Sequence, residues 1–191
     1  FRGESTAILV DTLLFALFAA HHSILARESG KRALAFIPPH LIRSVYVWTA
    51  SVLLFVVCIL WRPIGGDLYR VDGAGAIALA AVQMLGVVFI ARSVALIDAL
   101  DLAGIRISRA DSSLQTSGPY RWVRHPLYLG WMLLVFGAAH MTADRFAFAA
   151  ISSTYLLVAV PWEERSLRQS FGNSYADYQR RVRWRVIPYV Y

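Results

Sequence analysis

Five apolar runs, separated by polar and mostly basic segments, follow one another along the chain. The first run is long enough to cross a bilayer, for which a helix needs about 20 residues, whereas the last two are near the lower limit and are expected to form a helical hairpin. An amphipathic, arginine-rich tail follows, with a helix break at Gly172-Asn173. The pattern predicts an all-α integral membrane protein, a single membrane domain over residues 1–191, with five transmembrane helices at about 7–25, 45–61, 76–97, 126–141 and 146–160.

Composition supports this class. Of 191 residues, 58% are hydrophobic and 16% are charged, and the mean hydropathy is +0.52, which is too apolar for a soluble domain of this size. The net charge of +7 does not indicate a nucleic-acid partner, because the basic residues are scattered between the apolar runs. They crowd the first loop, the loop around Arg106 to Arg124 and the tail, which predicts an external N-terminus and a cytoplasmic C-terminus.

The single cysteine excludes an internal disulfide and a thiol–metal site. Cys58 is the single cysteine, so it can form no internal disulfide, and it has no soft partner for a metal site. We predict no metal and no obligate protein partner. The chain begins at Phe1 without a methionine, so no signal peptide is assigned, and residues before Phe1 could add a further span.

The first apolar run carries ionisable residues at helical spacing. Asp11, Phe15, Phe18 and His22 fall on one stripe, which should face the interior of the helix bundle. An ionisable group inside a span is a functional hypothesis by default, but a structural pairing with another helix is at least as strong a reading. His21 is read as an interfacial residue at the helix end.

A polar segment precedes the fourth apolar run. Gly118-Pro119 is a turn signal, and Pro126 suits the first turn of a helix, which holds His125 at the start of that helix. Glu163 and Glu164 follow the fifth run at a border on the same, cytoplasmic side, so the imidazole and the carboxylates should face one another. With nearby tyrosines and arginines, this border suits a ligand that has both cationic and anionic groups. Aromatics and arginines also collect at any membrane interface.

The order of these motifs resembles the superfamily of isoprenylcysteine carboxyl methyltransferases and phospholipid methyltransferases. The match covers residues 114–188 and rests on Gly118–Arg121, Arg124–Gly130, Glu163-Glu164 and Phe171-Gly172 with Tyr175 and Tyr178. The resemblance implies that S-adenosyl-L-methionine binds to a cytoplasmic part of the chain at about 112–188. The residues it assigns to the cofactor are Leu114, Gln115, Gly118, Tyr120, His125, Pro126, Leu127, Tyr128, Glu163 and Glu164.

The N-terminal half is similar to one branch of that superfamily, the bacterial methanethiol S-methyltransferases. The similarity rests on His22-Ser23, Pro38-Pro39, Arg43–Tyr46, Trp61–Pro63 and Asp101–Arg106. It implies methylation of a small apolar thiol, methanethiol, to dimethyl sulfide in the bacterial inner membrane, with the substrate arriving from lipid or cytoplasm. The prenylcysteine enzymes carry an arginine for a substrate carboxylate just ahead of the paired glutamates, and residues 157–161 contain none here.

Thiol methylation requires a thiolate, so a base is useful. The candidates are Asp101, which alternatively pairs with Arg106 at a helix end, and His22, which alternatively is a buried, hydrogen-bonded histidine. Of the two glutamates, Glu163 is the stronger cofactor candidate, because Glu164 could instead pair with Arg168 at i+4.

Two other functions remain open at this point. One is methylation of a lipid amine or of an isoprenylcysteine carboxylate, which needs a wider lateral opening between spans. The other is a non-catalytic membrane protein linked to nitric oxide and nitrite metabolism, which shares the spans but has no reason to keep His125, Tyr128 and Glu163 together.

Overall fold

Helices make up most of the computed structural model, which describes residues 2–25, 36–97 and 113–191. These residues fall into two compact units. The first contains residues 2–25 and 36–65, and the second contains residues 66–97 and 113–191. The single membrane domain over residues 1–191 stays a prediction.

The first unit is a pair of helices, α1 (Arg2–Leu25) and α2 (Pro39–Leu60), packed against each other. The stripe predicted on α1 is confirmed, since Asp11 and Phe15 are buried while most of the other side chains are exposed. Asp11 accepts a hydrogen bond from the backbone N–H of Arg62 through Oδ1, at 2.9 Å. A carboxylate therefore ties the residues after α2 to the middle of α1.

The second unit contains six elements and a short 3₁₀ helix. They are β1 (Asp67–Arg70), α3 (Gly73–Ile97), the 3₁₀ helix (Gly118–Arg121), α4 (Pro126–Phe136), β2 (His140–Thr142), α5 (Ala143–Phe171) and α6 (Asn173–Arg181). Helix α5 begins where the Thr142 hydroxyl accepts a hydrogen bond from the Arg145 N–H. It ends before Gly172, whose φ of 53° confirms the predicted break between α5 and α6.

A two-stranded antiparallel sheet departs from the all-α expectation. Strand β1 pairs with β2, with Asp67 opposite Thr142 and Arg70 opposite His140. The β1 segment was expected to be a connection between two spans, and His140 and Met141 of β2 were expected at the end of the fourth span, 126–141. Neither strand is long enough to show an alternating pattern. The pairing joins segments some seventy positions apart, and it sets the strand that leads into α3 against the strand that leads into α5.

Small residues let α3 and α4 approach closely. A Cβ atom on Gly130 would lie 2.8 Å from the carbonyl oxygen of Gly86 and 2.9 Å from Cγ1 of Ile90. The Gln83 side chain, on the same pair of helices, donates a hydrogen bond to the carbonyl of Leu134 at 2.9 Å. Backbone contact and one interhelical hydrogen bond hold this pair together, as is common between helices in a membrane.

Four helical segments are long and apolar enough to cross a bilayer: Glu4–Leu25, Leu41–Leu60, Gly73–Ile97 and Ala143–Phe171. The chain is therefore a multi-pass membrane protein. The fourth predicted span, 126–141, differs from the structure, because α4 ends at Phe136 after 11 residues. The fifth predicted span, 146–160, lies within α5, which continues past Pro161 and carries both glutamates.

The close contact of α3 and α4 makes Gly130→Ala destabilising. Overpacking against backbone atoms costs about 1–3 kcal/mol, and the gain of alanine over glycine in a helix is at most about 1 kcal/mol. We expect a lower melting temperature for Gly130→Ala in detergent, measured by thermal unfolding. Ala91→Val, on an exposed part of α3, is the control and should leave the melting temperature nearly unchanged. Equal melting temperatures for both variants would contradict the close approach.

Candidate functional site

The turn before α4 is fixed by two prolines and by the C-terminal segment. Pro119 lies in the 3₁₀ helix, and Pro126 is the first residue of α4, as the sequence predicts. Between them, the backbone N–H groups of Arg124 and His125 donate to the carbonyls of Trp184 and Arg185, at 2.9 and 2.7 Å. The residues after α6 therefore run alongside the turn that carries His125.

A buried ion pair joins this turn to α5. The Arg124 Nε donates to Glu164 Oε1 at 2.6 Å, and both side chains are more than nine-tenths buried. The same guanidinium donates through Nη1 to the carbonyls of Val182 and Arg183, at 2.7 and 2.8 Å. One arginine thus holds together the turn, α5 and the C-terminal segment, and charge-assisted hydrogen bonds of this kind are the strong ones.

The predicted pairing of Glu164 with Arg168 is wrong. Glu164 faces inward, where its second oxygen, Oε2, accepts from Gln179 at 3.2 Å and lies 3.4 Å from Arg185 Nε. Arg168 is exposed and contacts the Gln179 side chain instead. An i,i+4 pair on a helix surface contributes only about 0.5 kcal/mol, so a buried partner from another segment determines where Glu164 points.

His125 lies between the two glutamates. Its Nδ1 is 3.5 Å from Glu163 Oε2, and its Nε2 is 3.5 Å from Glu164 Oε1. The ring is buried and stacks on Tyr128, with 5.3 Å between centroids and 18° between planes. Within residues 2–25, 36–97 and 113–191, Nε2 has no hydrogen-bond partner. The structure thus brings together the imidazole and the two carboxylates, with Nε2 on the side of the buried Glu164.

Glu163 is the accessible member of the acidic pair. Its side chain is 44% exposed, whereas that of Glu164 is 7% exposed. The hydroxyl of Tyr128 donates to Glu163 Oε2 at 2.6 Å, which holds the carboxylate beside the stacked rings. Glu163 can therefore meet a cationic group from outside, and Glu164 cannot.

Tyrosines form one wall next to this group. Tyr120, Tyr175 and Tyr178 are buried together, and the Tyr178 hydroxyl donates to the Tyr120 carbonyl at 2.7 Å. Burial, and then the negative charge of Glu163, raise the pKa of Tyr120 to about 12. Burial also raises the pKa of Tyr175 and of Tyr178 above the ordinary value. All three phenols are neutral at physiological pH and present apolar ring surface.

The remaining cofactor candidates support the turn. The Gln115 side chain donates to the carbonyl of Leu96 at 3.0 Å and accepts from the N–H of Ser117 at 3.2 Å. Leu114 packs against the tyrosine wall. Gly118 has a φ of 58°, and a Cβ there would lie 2.8 Å from Leu96, so this turn requires glycine. Pro126 is buried and Leu127 is half-buried at the start of α4.

The two candidate bases come from other parts of the sequence than this group. Asp101 lies outside the described residues. His22 belongs to the first unit, where the Tyr46 hydroxyl lies 2.9 Å from its Nδ1, and its ring stacks on Phe18. His22 is thus a hydrogen-bonded histidine, which was the structural alternative for it.

Two residues of the site were not predicted from the sequence. Gln179 and Arg185 reach Glu164 from α6 and from the C-terminal segment, 15 and 21 positions along the chain. Arg124 is one of the arginines near His125 that were expected to suit a charged ligand, but the structure pairs it with Glu164. A local pattern gives no sign of such pairings, because they depend on how the C-terminal segment folds back.

Comparison with known proteins identifies the family. The model of the phospholipid methyltransferase family matches residues 74–174, a stretch that contains α3, the His125 turn and both glutamates. This chain belongs to that family. Membership confirms the prediction of a methyltransferase, and it implies a methyl donor.

Similar proteins extend the likeness to most of the chain. Methanethiol S-methyltransferase 2 of Bradyrhizobium diazoefficiens is 40% identical over 185 residues, which cover 92% of this chain and 71% of that protein. Methanethiol S-methyltransferase of Mycobacterium tuberculosis is 36% identical, covering 92% of this chain and 76% of its own length. By contrast, protein-S-isoprenylcysteine O-methyltransferase B of Arabidopsis thaliana is 34% identical over 41% of this chain. The resemblance noted from the motifs is confirmed.

The Arg124–Glu164 pair should dominate the stability of the second unit. Arg124→Met leaves a buried carboxylate without its partner, which costs about 3–5 kcal/mol. The double variant Arg124→Met/Glu164→Leu removes both charges, so we expect it to be more stable than Arg124→Met alone. Thermal unfolding in detergent measures both effects.

The exposed pair of Arg180 with Asp177 provides the control. Arg180→Gln should change the melting temperature little, because surface ion pairs contribute at most about 1 kcal/mol. If the double variant Arg124→Met/Glu164→Leu melted below Arg124→Met, that result would contradict the coupling of Arg124 with Glu164.

Proposed function

We propose that this chain is an S-adenosyl-L-methionine-dependent methyltransferase that methylates a small thiol, converting methanethiol to dimethyl sulfide. The observation that carries the proposal is the group formed by His125, Tyr128 and Glu163, which combines a buried imidazole, stacked rings and an exposed carboxylate. The names of the relatives that match most of the chain support the thiol acceptor.

The residues present fit the proposed cofactor. S-adenosyl-L-methionine supplies an electrophilic methyl group on a sulfonium, and it also carries an ammonium, a carboxylate and an adenine. Glu163 would hold a cationic group, and the stacked rings of His125 and Tyr128 would face the purine or the sulfonium. His125 Nε2 lies on the side of the buried Glu164, so the imidazole would meet the cofactor through its ring face or through Nδ1, beside the exposed Glu163. Arg124 would not serve the carboxylate, because Glu164 and two carbonyls engage it.

Glu164 has a supporting role in this proposal, although the motif resemblance counted it among the cofactor residues. Its two oxygens face Arg124, Gln179 and Arg185. It would hold the ring of His125 on the buried side, through the contact with Nε2. It would also orient α5 so that the Glu163 side chain is exposed. A well-aligned site of this kind supplies most of the rate in a displacement reaction, because the chain's contribution is proximity and the exclusion of water.

The acceptor thiol must lose its proton before it attacks, since the thiolate is the nucleophile. We retain Asp101 and His22 as the proposed proton acceptors. For His22 the proton would have to pass through or replace its hydrogen bond with Tyr46. An isoprenylcysteine acceptor is less well supported, because residues 157–161 offer no cation for its carboxylate.

We further propose five spans in the inner membrane of a bacterium, with an external N-terminus, a cytoplasmic tail and a hairpin of the last two spans. Helix α4 supplies about 16 Å of the fourth span at 1.5 Å per residue. The residues after it, up to Met141, would supply the rest of the ~30 Å hydrocarbon core. Two of the backbone groups there are hydrogen-bonded within the protein, as a membrane core requires, since Gly137 donates to Leu133 and Ala139 accepts from Val71.

Gas chromatography of dimethyl sulfide tests the proposed reaction. Purified protein given methanethiol and S-adenosyl-L-methionine should form dimethyl sulfide. Glu163→Gln and His125→Ala should lower kcat/KM about 10–100-fold, the equivalent of one hydrogen bond to a charged group. Glu4→Gln, which removes an exposed carboxylate from α1, should retain full activity. Full turnover by both site variants would exclude these residues from the site, and no product from the parent protein would exclude the thiol.

A further inference from the structure

An open groove of about 460 Å³ lies between the residues that follow the 3₁₀ helix and the residues that follow α6. It contains none of the residues proposed for the cofactor. Its charged and aromatic lining residues are Arg121, Trp122, Arg181, Arg183, Trp184 and Tyr189. It is therefore a second surface feature of the second unit, separate in composition from the His125 group.

The groove is strongly basic. Arg121, Arg181 and Arg183 are exposed, and no acidic residue lines the groove with them. Across the described part of the chain, no side chain forms a hydrogen bond or ion pair with these three guanidinium groups. Three like charges that line one groove without a counter-ion repel one another, so an anionic ligand would be favoured there.

Aromatic side chains place the groove at a membrane boundary. The Trp122 ring is 66% exposed and lies 5.9 Å from the ring of Phe89, which belongs to the membrane-spanning helix α3. Phe89 is eight residues before the end of α3, or about 12 Å along the helix axis. Trp residues next to arginines are characteristic of the depth at which lipid headgroups lie.

The second aromatic pair of the groove, Trp184 and Tyr189, includes a residue with an unfavourable backbone conformation. Tyr189 has a φ of 64°, the left-handed conformation that non-glycine residues rarely adopt, and its side chain is 86% exposed beside Trp184. Hydrogen bonds to the carbonyl of Tyr191 from Arg185 and Val186 fix this C-terminal turn. The chain thus keeps a large ring outside the core and next to the arginines.

We propose that this groove binds the phosphate of an anionic phospholipid headgroup, with the arginines on the phosphate and the tryptophans at the level of the glycerol backbone. The guanidinium group matches a phosphate with paired hydrogen bonds. A nucleic acid carries the same phosphates, but the contact of Trp122 with a spanning helix favours a lipid. The proposal depends on the membrane location and not on the methyl acceptor.

Binding of phosphatidylglycerol to the purified full chain in detergent tests the proposal, with bound lipid counted by native mass spectrometry. The parent protein should retain one phosphatidylglycerol more tightly than phosphatidylcholine. The triple variant Arg121→Gln/Arg181→Gln/Arg183→Gln should weaken this binding at least about tenfold, because each basic residue near an anionic headgroup contributes to the attraction.

A second triple variant controls for net charge. Arg165→Gln/Arg168→Gln/Arg180→Gln removes three exposed cations that lie outside the groove. Its affinity for phosphatidylglycerol should stay within about twofold of the parent, because these charges act on the groove only over long, salt-screened distances. Unchanged melting temperatures confirm that both proteins are folded, and replacement of the groove arginines by lysine should restore part of the binding. Equal loss in both triple variants would overturn the proposal. Equal retention of phosphatidylcholine, or displacement of the lipid by inorganic phosphate at matching concentration, would overturn it as well.

Discussion

The buried ion pair of Arg124 with Glu164 is the interaction on which the candidate site depends. One guanidinium bonds a carboxylate on α5 and two carbonyls of the C-terminal segment, while its own backbone pairs with that segment. Three parts of the chain, separated by 40 to 60 positions, therefore meet at one side chain. A charge buried this deeply must be paired. The turn that carries His125 is fixed as a consequence.

The pair also separates the roles of two adjacent glutamates. Consecutive residues on a helix point about 100° apart, so when Glu164 turns inward to Arg124, Glu163 must turn toward the open side. There it accepts a hydrogen bond from Tyr128 and remains partly exposed. Stability and, in the proposed site, ligand binding thus fall to neighbouring residues of the same type. Burial by the rest of the fold determines which residue has which role.

Much of the fold and of the candidate site could be predicted from the sequence. Apart from the convergence of His125 with the glutamates, the features that could be predicted were local. Apolar length predicted the spanning helices, helical spacing predicted the buried stripe at Asp11, and proline and glycine marked the start of α4 and the end of α5. The order of motifs predicted that His125 and the glutamates converge. Pairings between distant segments had no local signal. The β1–β2 sheet and the partner of Glu164 are of this kind, because each depends on tertiary contacts that compete successfully with nearer options.

The neighbouring glutamates allow the most direct measurement of the central claim. Equilibrium binding of tritiated S-adenosyl-L-methionine and the melting temperature are measured for Glu163→Gln and Glu164→Gln in the same detergent. The account predicts that Glu163→Gln binds the cofactor at least about tenfold more weakly, as for the loss of one charged hydrogen bond, while it melts like the parent protein. It predicts that Glu164→Gln melts well below the parent. A Glu163→Gln protein with unchanged binding, or a Glu164→Gln protein with unchanged stability, would contradict it.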